Sequence, residues 1–221
     1  MQLPSLVLRA GFKTDIALTH DLFSARTSNA KRKENRPKDM IDLQTQNLDK
    51  WARIHNRDCP YYLEQRAQPL SDATLAAILA LEPFSQRFAG PIAALNAHFN
   101  DFPDDLTNDV SDLANRFADM MAINEVRVRI ERVDTNACKK VHADHTDVRL
   151  ITTYAGPGTD IALHGKDGCC MDRVPTAWIG LFKGRTYAQD HPPCFHRSPP
   201  VGDTGEKRLL LVIDTPMQAQ M

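Results

Sequence analysis

A chain of 221 residues can bury one sizeable core, with or without a helical extension. Its hydrophobic content of 42% and charged content of 25% are those of a soluble globular protein. A formal net charge of -1 gives no general pull toward nucleic acid or a membrane surface, and no apolar run reaches the about eighteen residues a spanning helix needs.

The opening "MQLPSLVLRAGFK" lacks a basic stretch ahead of its short, proline-bearing apolar segment, so no secretory signal is expected. Five cysteines, an odd number in a chain of this length, point to reduced thiols in a cytosolic protein rather than to a disulfide framework. Residues 24–39, "SARTSNAKRKENRPKD", are polar and basic and read as a mobile exposed loop.

Up to about residue 124 the patterns are helical. Residues 43–55 carry Leu48 and Trp51 on one face. In "SDATLAAILALE" Ser71 is an N-cap, Leu75, Ile78 and Leu79 form the apolar stripe, and Pro83 ends the segment. Phe84, Phe88, Ile92, Leu95 and Phe99 recur at helical spacing, with a break at Gly90-Pro91. Leu106, Val110, Leu113, Phe117 and Met120 make a further stripe, preceded by Asp101, Asp104 and Asp105, which suit a helix N-terminus without any calcium.

From residue 125 the period becomes two. "EVRVRIERV" alternates Val126, Val128 and Ile130 with charged residues. "DVRLITTYA", "AWIGLFKG" and "KRLLLVID" are further strands, and "GPGTD" is a turn. No helical pattern separates them, so an antiparallel sandwich or barrel is expected for residues 125–221, with the region 1–124 packed on it as helices. The fold class is α+β.

"KVHADH" places His142 and Asp144 two apart, on one face of an extended segment, with His145 turned away. His196 in "FHRSPP" is the natural third ligand. Two histidines and one carboxylate cap one face of an octahedral ion and leave the other open, the ligand set of non-haem Fe(II) oxygenases. Arg208 follows His196 by twelve positions. Alone, it reads as a surface partner of a local carboxylate; beside a metal, its guanidinium could grip a ligand carboxylate in two places.

The succession HxD, "WIGLFKG", "HRSPP", "GEKRLLLVID" over residues 125–215 resembles the 2-oxoglutarate/Fe(II)-dependent dioxygenases. "ERVDTNACKKVHADH", "VRLITTYAGPGT" and "FHRSPP" also resemble an uncharacterised bacterial family, a domain of unknown function. The first resemblance implies a double-stranded β-helix, a jelly-roll barrel related to the cupins. It implies iron on His142, Asp144 and His196, and 2-oxoglutarate with its distal carboxylate on Arg208. A further hydrogen bond would come from Tyr154 or Arg149. The activity implied is hydroxylation or demethylation of a small-molecule or protein substrate. Typical members carry Ser or Thr two residues after the arginine; here the position is Leu210.

Two alternatives stand beside this. Cys138 and Cys194 lie near the histidines, and Cys169-Cys170 lie near His164, so a non-redox zinc protein is conceivable. The plainer expectation makes Cys138 and Cys194 small buried residues near the barrel mouth. A cupin-like binding domain with a degenerate site is the other alternative. His20, His55, His98 and His191 are unassigned. No G-x-S-x-G or phosphate-binding glycine loop supports a hydrolase or nucleotide function.

Overall fold

The computed structural model describes residues 50–163 and 170–216. The basic segment 24–39, Leu48, His20, His164 and Cys169 lie outside them. Among the described residues no helix is long and apolar enough to cross a membrane.

The architecture is mostly antiparallel sheet. Among the described residues nine strands run β1 Tyr61–Glu64, β2 Phe84–Pro91, β3 Glu125–Val133, β4 Val148–Ala155, β5 Asp160–Ala162, β6 Met171–Arg173, β7 Ile179–Lys183, β8 His196–Arg197 and β9 Arg208–Asp214. Among the described residues three whole α-helices interleave: α1 Asp72–Leu79, α2 Leu95–His98 and α3 Asp104–Met121. A six-stranded sheet has the order β1-β7-β4-β9-β3-β2, and a three-stranded sheet the order β6-β5-β8.

The centre of the large sheet follows from its sequence. In β9 Leu209, Leu211 and Ile213 point one way and Arg208, Leu210, Val212 and Asp214 the other, and all seven residues are buried. A strand covered on both faces must be apolar throughout its middle, which is why "RLLLVI" does not alternate. On one side Leu209, Leu211, Ile213, Leu150 and Tyr154 join Leu106, Leu113 and Phe117 of α3. On the other, Ile151, Phe182, Leu210 and Val212 meet Ile161 of the small sheet with Val174 and Cys194. β3 takes part only with its Val126, Val128 and Ile130 face.

The helix caps are local. Ser71 accepts from the Thr74 amide at 3.1 Å and opens α1. Asp105, in the first turn of α3, accepts from the Ser71 amide at 2.9 Å and the Thr74 hydroxyl at 2.8 Å, joining the two helices. α3 ends on Ala122 in the left-handed region, φ 52°. Gly156 at φ 78° makes the "GPGTD" turn; a Cβ there would strike the Lys207 carbonyl.

The stretch 84–99 departs from the helical expectation. Phe84–Pro91 is strand β2, paired with β3 from Phe84↔Arg132 to Pro91↔Glu125. Phe84 and Phe88 are four apart, which fits a helical turn and also two full strand periods. The exposure alternates at every residue, so the period is two. β1 likewise comes from the region expected to be helical, and β1 and β2 are the two edges of the large sheet.

Candidate metal centre

His142 lies in the turn-rich segment after β3 and forms an isolated antiparallel bridge with His196 of β8. Each amide donates to the other's carbonyl, His142 to His196 at 2.9 Å and His196 to His142 at 2.8 Å. Residues so paired present neighbouring side chains on one face. The two imidazole centroids are 4.8 Å apart. Asp144, two residues on, reaches the same point. One ligating atom from each of His142, Asp144 and His196 lies within 4.8 Å of the other two, and among the described residues no other such group of three exists.

The backbone under Asp144 is pinned by the end of β7. The Arg185 amide donates to the Asp144 carbonyl at 2.8 Å, Arg185 Nε to the Ala143 carbonyl at 3.1 Å, and the Gly184 amide to the Asp147 carbonyl at 2.7 Å. Phe182 of β7 lays its ring 5.0 Å from that of His196.

The ring nitrogens sort themselves. Nδ1 of His142 lies 2.8 Å from the Lys140 carbonyl, and Nδ1 of His196 lies 3.3 Å from the Cys194 carbonyl. A carbonyl oxygen only accepts, so both Nδ1 atoms carry the proton. In a neutral imidazole Nε2 then presents a lone pair. Nε2 of His196 stands 3.2 Å from Oδ2 of Asp144, and Nε2 of His142 3.7 Å from Oδ1. Oδ2 is buried and accepts no hydrogen bond. Two lone-pair atoms facing each other in a buried space repel unless a proton or a cation lies between them. The set fits a divalent metal, with one oxygen and two nitrogens converging. Burial pushes the Asp144 carboxyl up, but a proton on Nε2 of His196, standing where a metal would, and the Arg149 guanidinium outweigh it and hold the group below the ordinary carboxylate value.

Arg149, at the start of β4, does not point at an empty space. Its Nη1 donates to Asp144 Oδ1 at 2.5 Å, while Nε and Nη2 grip the two oxygens of Asp214 at 2.7 and 2.8 Å. Asp214 has Arg127 Nη2 at 3.9 Å on its other side. Sequence reasoning did not single out Asp214; its signal is that it lies six residues from Arg208 on one strand, and so on the same face.

Arg208 is 1% exposed. Its Nε donates to the Pro157 carbonyl at 2.7 Å and Nη2 to the Thr153 hydroxyl at 3.3 Å. Among the described residues it has no carboxylate within ion-pair distance, so it is not the surface pair that it suggested when taken alone. Burial pushes its pKa down to about 10. Tyr154 is turned to the opposite face of β4, where its hydroxyl donates to Asp109 of α3 at 2.7 Å. His145 is exposed and outside the group.

The cysteines do not join the centre among the described residues. Cys194 is buried, and burial holds its thiol protonated well above the usual range. Cys138 is exposed in the left-handed region, φ 58°, rather than buried. Among the described residues neither is part of a cluster suited to zinc.

No curated protein matches the chain. Among solved structures, a dioxygenase for auxin oxidation from rice is 12% identical with a TM-score of 0.45, over 80% of this chain and 79% of that one. A full-length Neurospora crassa protein in complex with alpha-KG is 12% identical, TM-score 0.49, over 78% and 79%. A Pseudomonas putida prolyl-4-hydroxylase is 10% identical, TM-score 0.47, over 80% and 100%. The model of the DUF1826 family, described as a protein of unknown function, matches residues 36–214, and the chain belongs to that family.

Proposed function

We propose that this member of the DUF1826 family is a non-haem Fe(II), 2-oxoglutarate-dependent oxygenase on a double-stranded β-helix. The path of the chain supports that fold. It passes from β3 in the large sheet to the His142 bridge beside the small one, back to β4, across to β5 and β6, back to β7, across to β8 and back to β9. This alternation between facing sheets is how such a barrel winds.

The observation that carries the function is the buried Oδ2 of Asp144 opposite Nε2 of His196, 3.2 Å apart with no hydrogen bond between them. With Nε2 of His142 they would hold iron on one side only. When bound, iron supplies dioxygen activation coupled to oxidative decarboxylation of 2-oxoglutarate, the chemistry that hydroxylates or demethylates a substrate. Arg208 supplies a buried cation with no ion pair among the described residues, on the inter-sheet face, suited to the distal carboxylate of the cosubstrate. Thr153 accepts from Nη2 at 3.3 Å and steadies the guanidinium. Ile151, Phe182, Leu210 and Val212 keep water from the space between the sheets. The substrate is a small molecule or a protein side chain. Cys59, Cys138 and Cys194 form no disulfide, which suits work in a reducing cytoplasm.

The test is an anaerobic titration of Fe(II)-loaded protein with 2-oxoglutarate. A weak visible charge-transfer band saturating at one equivalent is expected. Stoichiometric iron without any band on addition of 2-oxoglutarate would remove this cosubstrate from the account.

A further inference from the structure

We infer that Arg149 and Asp214 form a positioning pair that limits Asp144 to a single ligating oxygen; the inference rests on the metal-centre reading above. Asp144 offers two oxygens to a cation. A carboxylate that binds through both takes two coordination positions, and one that binds through one leaves a position for a reactant. Here the two oxygens are treated differently. Oδ1 accepts from Arg149 Nη1, while Oδ2 faces His196 without a hydrogen bond. Because Oδ1 is engaged by a guanidinium, only Oδ2 turns to the cation.

The guanidinium is itself fixed. Asp214, opposite Arg149 in the β4–β9 register, takes Nε and Nη2 in a two-point grip, and this leaves Nη1 aimed at Asp144. Arg127 lies beyond, with Nε on the Thr215 carbonyl at 2.8 Å and Nη2 3.9 Å from Asp214. Charges therefore alternate along a row from β3 through β9 and β4 to the ligand: Arg127, Asp214, Arg149, Asp144. Arg149 thus acts through Asp144 and does not need to touch a reactant. Lysine could not reproduce it, since one ammonium cannot span both carboxylates in a fixed fork.

Co(II) is the probe, because its visible spectrum reports the ligand set and its geometry and its binding needs neither cosubstrate nor turnover. Metal-stripped full chain is titrated with Co(II) by calorimetry and absorption, for the native sequence and for R149M, R149K, D214N and H196A. R149M should bind Co(II) about 10- to 100-fold more weakly. Its visible band should also shift as the second Asp144 oxygen takes a position that solvent holds in the native centre. R149K should recover only part of the affinity and D214N should shift both readouts in the same direction as R149M. Affinity and spectrum unchanged in R149K and D214N, both of which retain charge or shape at their positions, would overturn the inference even if R149M does not fold. The parent reading fails differently: native protein that takes up no Co(II), or H196A that binds it as tightly as the native chain, would remove the metal centre itself.

Discussion

His142 and His196 lie opposite one another in an antiparallel bridge, joined by two backbone hydrogen bonds of 2.9 and 2.8 Å. Residues more than fifty apart in the chain are thereby locked side by side before any metal arrives. Preformed ligands bind without a large ordering cost.

Substitutions at the three ligands should therefore act on the metal and little else. His142→Ala, Asp144→Ala and His196→Ala are each expected to abolish stoichiometric binding of Fe(II), measured by metal analysis after desalting. His145→Ala should retain one equivalent. Loss of metal in His145→Ala would show that the strand parity used to place the ligands is wrong.

Arg208 should separate cosubstrate from metal. A buried cation with no ion pair among the described residues is a cost to the fold, so Arg208→Met is expected to leave the Tm of the metal-free protein unchanged or raised. The same variant should still bind iron. In the native protein 2-oxoglutarate at 100 times its Kd should add about 2.7 kcal/mol of stability, and in Arg208→Met it should add none. If instead the variant loses about 3 kcal/mol or more without ligand, as breaking a buried charge pair does, Arg208 is a structural residue.

Tyr154 should mark the alkaline limit of the fold. Burial pushes its phenol well above the ordinary value, and Asp109 beside it adds to the shift. A folded value above the unfolded value of about 10 means that this stabilisation is complete below about pH 10 and is lost as pH rises from there toward the folded value. Of the four tyrosines, Tyr154 should form tyrosinate only as the protein unfolds, followed by ultraviolet absorbance alongside circular dichroism. Tyr154→Phe should flatten the fall in denaturation midpoint at high pH. Ionisation of all four tyrosines with the fold intact would contradict the buried Tyr154–Asp109 contact.

β3, β4, β7 and β9 were legible because each is either strictly alternating or a long apolar run bounded by turn residues. β2 was not, since Phe84 and Phe88 satisfy two periods at once and only pairing with β3 decides between them. β1, β5, β6 and β8 hold four residues or fewer, too few to show a period. At the site, the same two-residue parity that brings His142 and Asp144 together also sorts the arginine neighbours. Arg149 and Tyr154 are five apart on one strand and so point to opposite faces, which sets the two alternatives for the further hydrogen bond on different sides of the sheet. Asp214 lay unnoticed because an acidic residue closing an apolar strand looks like a solvent-facing end. Its burial, and the fork of Arg149 that satisfies it, belong to tertiary structure.

The most direct measurement is an anomalous-difference map at the iron edge, from crystals grown anaerobically with Fe(II) and 2-oxoglutarate. The account predicts one peak about 2.0–2.2 Å from Nε2 of His142, Oδ2 of Asp144 and Nε2 of His196, with density for a dicarboxylate on the open side reaching Arg208. A map with no peak among these three atoms, or with the metal held by cysteine sulfur, would contradict it.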